Sequence, residues 1–133
     1  GSEMCIRDSP KGYEPNALVV DKAMQIYRNK NLLKITNDPY SAVSGANVLY
    51  TDVWSSMGEE NKKEKKDKEF NGFTIDSKLL NNAKKESIVL HCLPAYRGKE
   101  ITDEVIESIN SRIFEQAENR MHVQQALLAS LLS

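Results

Sequence analysis

Residues that could carry chemistry follow two short apolar runs of the sequence. Residues 51–58 (TDVWSSMG) come directly after the run 48–50, and residues 91–94 (HCLP) come after the run 88–90. In open parallel sheets, ligands bind outside the carboxyl ends of the strands. If both runs are parallel strands, a carboxylate, hydroxyls, a thiol and free backbone carbonyls open into one crevice. The two loops are therefore the first candidate site.

Cys92 and His91 are the residue types of a thiol nucleophile and its general base, and they are adjacent. Neighbours on an extended segment point to opposite faces, so we expect no direct Cys–His pair and no nucleophilic thiol catalysis. A lone cysteine beside an apolar strand is more often buried and inert. Asp52, placed after a strand, is as readily a turn former or helix cap as a functional group.

A second group of polar residues lies within a helical pattern at residues 118–122 (ENRMH). Glu118 and His122 are one turn apart, which suits two metal ligands, but no matching second pair appears. A hydrogen bond on the helix surface is therefore the favoured interpretation of that pair. Arg120 is a planar, permanently charged donor that can form paired hydrogen bonds to a phosphate or carbonyl oxygen. A surface salt bridge is its ordinary alternative.

Alternating strands and helices must position these side chains. Apolar runs predict strands at residues 32–35, 48–50 and 88–90, and none alternates cleanly, as expected when both faces of a sheet are covered. Helical patterns occupy residues 17–27, 38–43, 78–83 and 114–132. Asn16 and either Asp76 or Ser77 are candidate N-caps. The alternation predicts an α/β fold, namely a partial Rossmann-like parallel sheet flanked by helices, with a long C-terminal helix.

Composition excludes several classes of function. The 133-residue chain is 40% hydrophobic and 28% charged, with a formal net charge of −1, which gives no reason to expect nucleic acid as a partner. Acidic and basic residues interleave at residues 59–69, as on a solvated helix face. No apolar run approaches the roughly 20 residues that span a bilayer. Two cysteines, Cys5 and Cys92, form no disulfide framework, so we expect a reducing, cytoplasmic compartment.

Four segments resemble one family, the ornithine carbamoyltransferases. Residues 51–60 (TDVWSSMGEE) resemble its Asp-Val-Trp-x-Ser-Met-Gly loop, and residues 91–98 (HCLPAYRG) resemble its His-Cys-Leu-Pro motif. Residues 118–124 (ENRMHVQ) are similar to the Glu-Asn-Arg-x-His-x-Gln signature of its last helix, and residues 9–15 (SPKGYEP) fit the loop after the second strand of its ornithine domain. The motifs stand in the family's order and cover nearly the whole chain.

The resemblance implies a reaction and the residues that bind its first substrate. The family transfers the carbamoyl group of carbamoyl phosphate to the δ-amine of L-ornithine, which gives L-citrulline and phosphate. Asp52 would hold the α-amino group of ornithine, and Ser56 and Met57 would complete that site on a loop that closes over the substrate. Cys92 would lie beside the δ-amine as the family's proposed proton acceptor.

The second substrate, carbamoyl phosphate, is implied at the same edge. Cys92 and Leu93 would meet its carbamoyl group, and Arg120 would contact the carbonyl oxygen, where negative charge grows in the transition state. Because the substrate amine is the nucleophile, the resemblance implies no protein nucleophile, no metal and no organic cofactor. The site orients two substrates and stabilises charge.

The chain also departs from the family pattern. Residues 1–3 resemble a remnant of expression cloning, and we interpret residues 4–133 as an incomplete ornithine-binding domain. The carbamoyl phosphate domain is missing, with its Ser-x-Arg-Thr-Arg phosphate loop, and so is the first strand of the ornithine domain. Residues 4–9 stand where the second strand belongs, although Cys5 and Asp8 make it an unusual one. We therefore expect the isolated chain to be inactive.

In the family, the last helix packs back on the domain that is missing here. We therefore expect apolar residues of this helix to lose cover and to drive homo-oligomerisation; they are Met121, Leu127, Leu128 and Leu131. Two alternatives stay open: a non-catalytic amino-acid-binding or oligomerisation module, and a related carbamoyltransferase with another amine acceptor. Residues 56–58 (SMG) favour ornithine, because the family's amino-acid selectivity lies in that loop.

Overall fold

The computed structural model describes residues 5–26, 32–55, 61 and 63–132 of the chain. Strands and helices alternate along most of it, as the sequence predicts. The elements, in chain order, are β1 (Cys5–Asp8), α1 (Ala17–Ile26), β2 (Leu33–Thr36), α2 (Pro39–Val43), β3 (Val48–Thr51), α3 (Lys63–Glu69), α4 (Ser77–Leu80), β4 (Ile88–His91), α5 (Asp103–Ile106) and α6 (Ile113–Leu132).

The strands pair in parallel, which confirms the predicted sheet type. β1 pairs with β2, and β3 pairs with β4, so that the described residues form two separate two-stranded sheets. Thr51 is the partner of His91 at the carboxyl ends of β3 and β4. The loops after these two strands therefore open at the same edge, as expected from the sequence.

Residues 5–8 form a true strand despite their unusual composition, because β2 supplies a parallel partner along their whole length. The pairing continues into the following loop, where the Ser9 amide donates to the Thr36 carbonyl (3.3 Å). Burial of the Asp8 carboxyl raises its pKa above the ordinary value, because desolvation disfavours the charged form.

The hydrophobic core lies on one face of the β3–β4 pair. Leu49 and Val89 point into it from the strands, and helices α2, α4, α5 and the first residue of α6 cover them. The other face of β3 is open, since Val48 is 51% and Tyr50 57% exposed. The expectation that both faces would be covered is therefore wrong for β3: alternate side chains leave the sheet on opposite sides, and the described elements pack on one side only.

Three helices begin directly after a polar residue whose side chain caps their first turn. Asn16 accepts from the Leu18 amide (2.9 Å), Asp38 from the Tyr40 amide (3.0 Å) and Asp76 from the Leu79 amide (2.7 Å). Asp76 rather than Ser77 is thus the cap of α4. This helix ends at Leu80, earlier than the predicted 83, and a turn follows.

α6 is the longest helix and begins one residue before its predicted start. Ile113 at its first position is fully buried, and the Arg112 amide donates to the Val89 carbonyl (2.9 Å), which holds the start of the helix on β4. Beyond that point its large apolar side chains are exposed, namely Phe114, Met121, Val123, Leu127, Leu128, Leu131 and Leu132. In the described part of the chain, no helix combines the length and apolar character needed to cross a membrane.

Candidate active site

Asp52 and Cys92 meet at the carboxyl edge of the β3–β4 sheet. The Cys92 Sγ donates a hydrogen bond to the Asp52 Oδ1 (3.0 Å), and the same oxygen accepts from the Val53 amide (2.7 Å). Asp52 is exposed and Cys92 is half-buried. Two candidate residues that are 40 positions apart therefore form one accessible thiol–carboxylate pair.

This environment raises the pKa of the Cys92 thiol above its ordinary value of 9.0. Burial is the largest cause, and the hydrogen bond and negative charge of Asp52 add to it, since both disfavour a thiolate. Cys92 is consequently a protonated hydrogen-bond donor at neutral pH. This agrees with the expectation that the thiol is not a catalytic nucleophile, because the nucleophilic form is the thiolate.

His91 is fully buried, and neither of its ring nitrogens forms a hydrogen bond with the Cys92 thiol. Its Nδ1 accepts from the Leu93 amide (2.8 Å), and its Nε2 lies 3.2 Å from the Glu100 Oε1. Both ring nitrogens are thus used by groups other than the thiol. The predicted absence of a direct Cys–His pair is confirmed.

A metal could find three ligand atoms at this edge. Asp52, His91 and Cys92 offer a carboxylate oxygen, an imidazole nitrogen and a sulfur within 4.8 Å of one another. These are ligand types that Zn²⁺ accepts. The imidazole, however, already accepts the Leu93 amide, so metal binding would leave that amide without its partner. In this structure, the three side chains form hydrogen bonds within or between the two loops: Cys92 with Asp52, and His91 with the Leu93 amide.

The backbone after Cys92 has an unusual conformation. Leu93 has a φ of 57°, in the left-handed region, and a cis peptide bond joins it to Pro94. For a residue other than glycine, the left-handed conformation costs roughly 1–2 kcal/mol, so surrounding contacts must maintain it. Among the described residues, no backbone amide donates to the carbonyl oxygens of Cys92 and Leu93. Neither carbonyl is therefore engaged by a backbone donor in the part of the chain that the structure describes.

No contact among the described residues joins Arg120 to this pair. Arg120 is exposed on α6 and forms no hydrogen bond or ion pair with any residue that the structure describes. Glu118 and His122 form a contact of 3.5 Å on the surface of the helix, as the favoured interpretation had it. Ser56 and Met57 lie outside the described residues.

Gln116 is a site residue that the sequence did not reveal. Its Oε1 accepts from the His91 amide (3.1 Å), and its Nε2 donates to the Tyr50 hydroxyl (3.2 Å). One side chain of α6 therefore joins the ends of β3 and β4. The available signal was its position one helical turn before Arg120, on the same side of the helix.

Residues 9–15, which resemble a loop of the family, contact residues that follow β3 in the chain. The Tyr13 hydroxyl donates to Glu69 (2.6 Å), and the Tyr13 ring packs edge-on against Phe70 (4.8 Å between centroids). Phe70 in turn stacks on Trp54 (5.7 Å). Aromatic packing thus connects two of the four motifs, residues 9–15 and 51–60, which are far apart in the sequence.

Comparison with known proteins identifies the family. The family described as "Aspartate/ornithine carbamoyltransferase, Asp/Orn binding domain" matches residues 6–131. An ornithine carbamoyltransferase of Prochlorococcus marinus subsp. pastoris is 75% identical over 123 residues, which are 92% of this chain and 40% of that protein. A catabolic ornithine carbamoyltransferase of Thermoplasma acidophilum is 52% identical over all of this chain and 44% of its own length.

Solved structures agree with the sequence relatives. The ornithine carbamoyltransferase of Pyrococcus furiosus superposes with a TM-score of 0.86 at 43% identity, over 96% of this chain and 41% of that one. The anabolic ornithine carbamoyltransferase of Campylobacter jejuni superposes with a TM-score of 0.83 at 42% identity, over 97% of this chain and 43% of that one. The chain thus spans about 40% of the length of the relatives it matches. Its motifs, its fold and its matched residues show that the chain belongs to the aspartate/ornithine carbamoyltransferase family and matches the Asp/Orn-binding domain.

Proposed function

We propose that residues 4–133 are the ornithine-binding part of an ornithine carbamoyltransferase. The complete reaction would form a bond between the δ-nitrogen of L-ornithine and the carbamoyl carbon of carbamoyl phosphate. The carbon–oxygen bond to phosphate would break, the amine would lose a proton, and L-citrulline and phosphate would leave. The observation that carries the proposal is the exposed Asp52 carboxylate held against the Cys92 thiol at the sheet edge.

Asp52 is suited to bind the α-ammonium group of an amino acid. Both of its hydrogen bonds from described residues end on Oδ1, which leaves Oδ2 directed to no described donor. A cation at this carboxylate gains a charge-assisted hydrogen bond, which is stronger than a neutral one. Ser56 and Met57 would complete this subsite.

Cys92 would then respond to the substrate. An ammonium group on Asp52 offsets the charge that helps to raise the pKa of the thiol, so substrate binding lowers this pKa. A lower pKa would increase the fraction of thiolate, which is the form that can accept the proton of the δ-amine. The chain supplies orientation and electrostatic stabilisation, and it requires no metal or organic cofactor because the amine itself attacks.

Carbamoyl phosphate would lie beside the same loop. The carbonyl groups of Cys92 and Leu93, which accept from no described backbone amide, would meet the carbamoyl amide, and Arg120 is a permanent positive charge without a described partner. Arg120 would stabilise the oxygen that gains negative charge. Because few phosphate-binding charges are present in this segment, we expect binding of ornithine but no turnover.

Ornithine binding tests the proposal. L-ornithine titrated into the ¹⁵N-labelled chain is expected to shift the Asp52, Val53 and Cys92 amides. Asp52→Asn is expected to weaken binding at least tenfold, since about 1.4 kcal/mol corresponds to that factor. Asp21→Asn, the same charge change at an exposed site on α1, is the matched control and should leave affinity unchanged.

Two results would contradict the proposal in different ways. Equal affinity of the Asp52→Asn and wild-type chains would remove Asp52 from the site. Citrulline formation from both substrates, abolished by Cys92→Ala and by Arg120→Ala, would show that the isolated segment is active and that our expectation of inactivity is wrong. A preference for another amine over L-ornithine would favour a related carbamoyltransferase.

We also propose that the chain self-associates through α6. Exposed leucines at 127, 128 and 131 place an apolar surface on the second half of the helix, and such surfaces are commonly covered by a second copy. Light scattering after size exclusion is expected to give at least a dimer, which Leu128→Lys shifts to monomer. Ala126→Lys lies on the opposite side of the helix and should not. A monomeric wild-type mass would contradict this proposal.

For the compartment, we propose the cytoplasm. The two cysteines of the chain, Cys5 and Cys92, are both free thiols. Free thiols persist where glutathione and thioredoxin keep the surroundings reducing.

A further inference from the structure

A buried ionisable pair lies directly behind the Cys92 loop. The side chains of His91 and Glu100 are both fully buried, and the Nε2 of one lies 3.2 Å from the Oε1 of the other. Around them the core is aliphatic, with Val89, Ile101 and Ile113 also fully buried. A carboxyl group in such surroundings is costly to desolvate and is stable only with hydrogen-bond partners.

The hydrogen bonds of this pair define the form of the imidazole. The Leu93 amide donates to Nδ1 (2.8 Å), so that nitrogen carries no proton. The ring proton must therefore be on Nε2, which donates to Glu100. Glu100 Oε1 accepts a second bond, from the Tyr96 amide (2.6 Å). Glu100 Oε1 thus holds both ends of the turn from Leu93 to Tyr96. It binds the Tyr96 amide directly, and it binds the Leu93 amide through the His91 ring.

This turn contains the strained backbone of the site. Leu93 keeps its φ of 57° while its amide is bound to His91. If the imidazole were free to rotate, this amide would lose its acceptor and Leu93 could relax to a negative φ. Such a change would redirect the carbonyls on either side of it, next to the thiol that meets Asp52.

We propose that Glu100 is a positioning residue: acting through His91, it maintains the Cys92–Leu93 backbone in the conformation that faces the ligand. The proposal concerns the site described under the proposed function and rests on it for its biological meaning. Glu100 does not touch a substrate in this arrangement. Gln116 supports the same histidine from the other side, through the His91 amide.

Amide hydrogen exchange and the imidazole tautomer test this role in the full 133-residue chain. Glu100→Ala is expected to accelerate exchange of the Leu93 amide at least tenfold, while the Val89 amide, bonded to Asn110, changes less than twofold. Glu100→Gln keeps an oxygen acceptor and should restore most of the protection. Glu86→Gln, an exposed charge removal, is the matched control.

The outcomes separate positioning from general stability. Equal acceleration at Leu93 and Val89 would mean that Glu100 only stabilises the fold, and unchanged exchange at Leu93 would remove its role altogether; either result overturns the proposal. If Glu100→Ala does not fold, the wild-type chain decides: long-range ¹H–¹⁵N spectra must show a His91 proton on Nε2, and a proton on Nδ1 overturns the proposal.

Ornithine binding distinguishes this inference from the proposed function. If the wild-type chain does not bind ornithine, the proposed function fails while the Leu93 and His91 measurements still decide whether Glu100 positions the loop. If the wild type binds ornithine and Glu100→Ala leaves both the affinity and Leu93 exchange unchanged, the positioning role alone fails. If the wild type binds ornithine, support also requires weaker ornithine binding by Glu100→Ala, and faster Leu93 exchange with unchanged affinity would overturn the role at the ligand site.

Discussion

Replacing Ile113 with alanine is expected to lower the free energy of unfolding by about 3 kcal/mol, within the range for isoleucine-to-alanine changes in protein cores. Ile113 is fully buried at the first position of α6 and packs in the main hydrophobic cluster. The substitution removes three carbon atoms and leaves a cavity that strands β3 and β4 cannot fill without distortion. Urea denaturation followed by circular dichroism measures the change.

Ile109→Ala provides the matched control in the same region. Ile109 is 89% exposed, so the same chemical change removes little buried surface and should alter stability by less than roughly 0.5 kcal/mol. Both variants must be compared at one protein concentration, because self-association adds to apparent stability. Equal losses in the two variants would show that α6 does not begin on the core as described.

The loss at Ile113 should extend to the candidate site. The amide of the adjacent Arg112 donates to the Val89 carbonyl of β4. Gln116, which follows Ile113 by three residues, accepts from the His91 amide. A start of α6 that is loosened from β4 weakens the support for His91. We therefore expect faster exchange of the His91 amide in Ile113→Ala than in Ile109→Ala.

Asp52→Asn is expected to lower the pKa of the Cys92 thiol and to accelerate its alkylation by iodoacetamide at pH 8. The carboxylate disfavours a neighbouring thiolate by its charge, and its removal takes that contribution away. Burial, the largest cause, persists in the variant, so only the part of the upward pKa shift that Asp52 contributes should be lost. Below the pKa the reactive fraction rises about tenfold for each unit by which the pKa falls.

The experiment uses a Cys5→Ser background, since Cys5 is an exposed second thiol. The rate measured from pH 7 to 11 gives the pKa directly, and Asp21→Asn controls for the change in net charge. A superimposable pH profile for the wild-type and Asp52→Asn chains would show that the carboxylate does not act on the thiol.

The same shift has a consequence for stability. A thiol pKa that is higher in the folded than in the unfolded chain means that the folded chain holds this proton more tightly. The resulting stabilisation is complete below the unfolded value, near 9.0, and is lost as the pH rises through the folded pKa. Asp52→Asn should therefore narrow the alkaline range in which Cys92 contributes stability.

The sequence alone determined the order of most elements and the meeting of the two loops, although it did not predict the short helix α5. Local chemistry was sufficient for this: Pro39 after the capping Asp38 begins α2, and short apolar runs form the strands. The rule that ligands bind at the carboxyl ends of parallel strands then placed Asp52 beside Cys92. These features depend on residues close in the chain and on general properties of parallel sheets.

Only the tertiary structure decided which polar residues support the site. In its local sequence, Arg97-Gly98-Lys99-Glu100, the glutamate reads as part of a solvated turn, yet it is fully buried. Its side chain is held inside by His91 of β4 and by the Tyr96 amide, and the role of Gln116 depends on where α6 meets the strands. The open face of β3 is equally a property of the packing. Such features arise from contacts between distant residues, which no local pattern encodes.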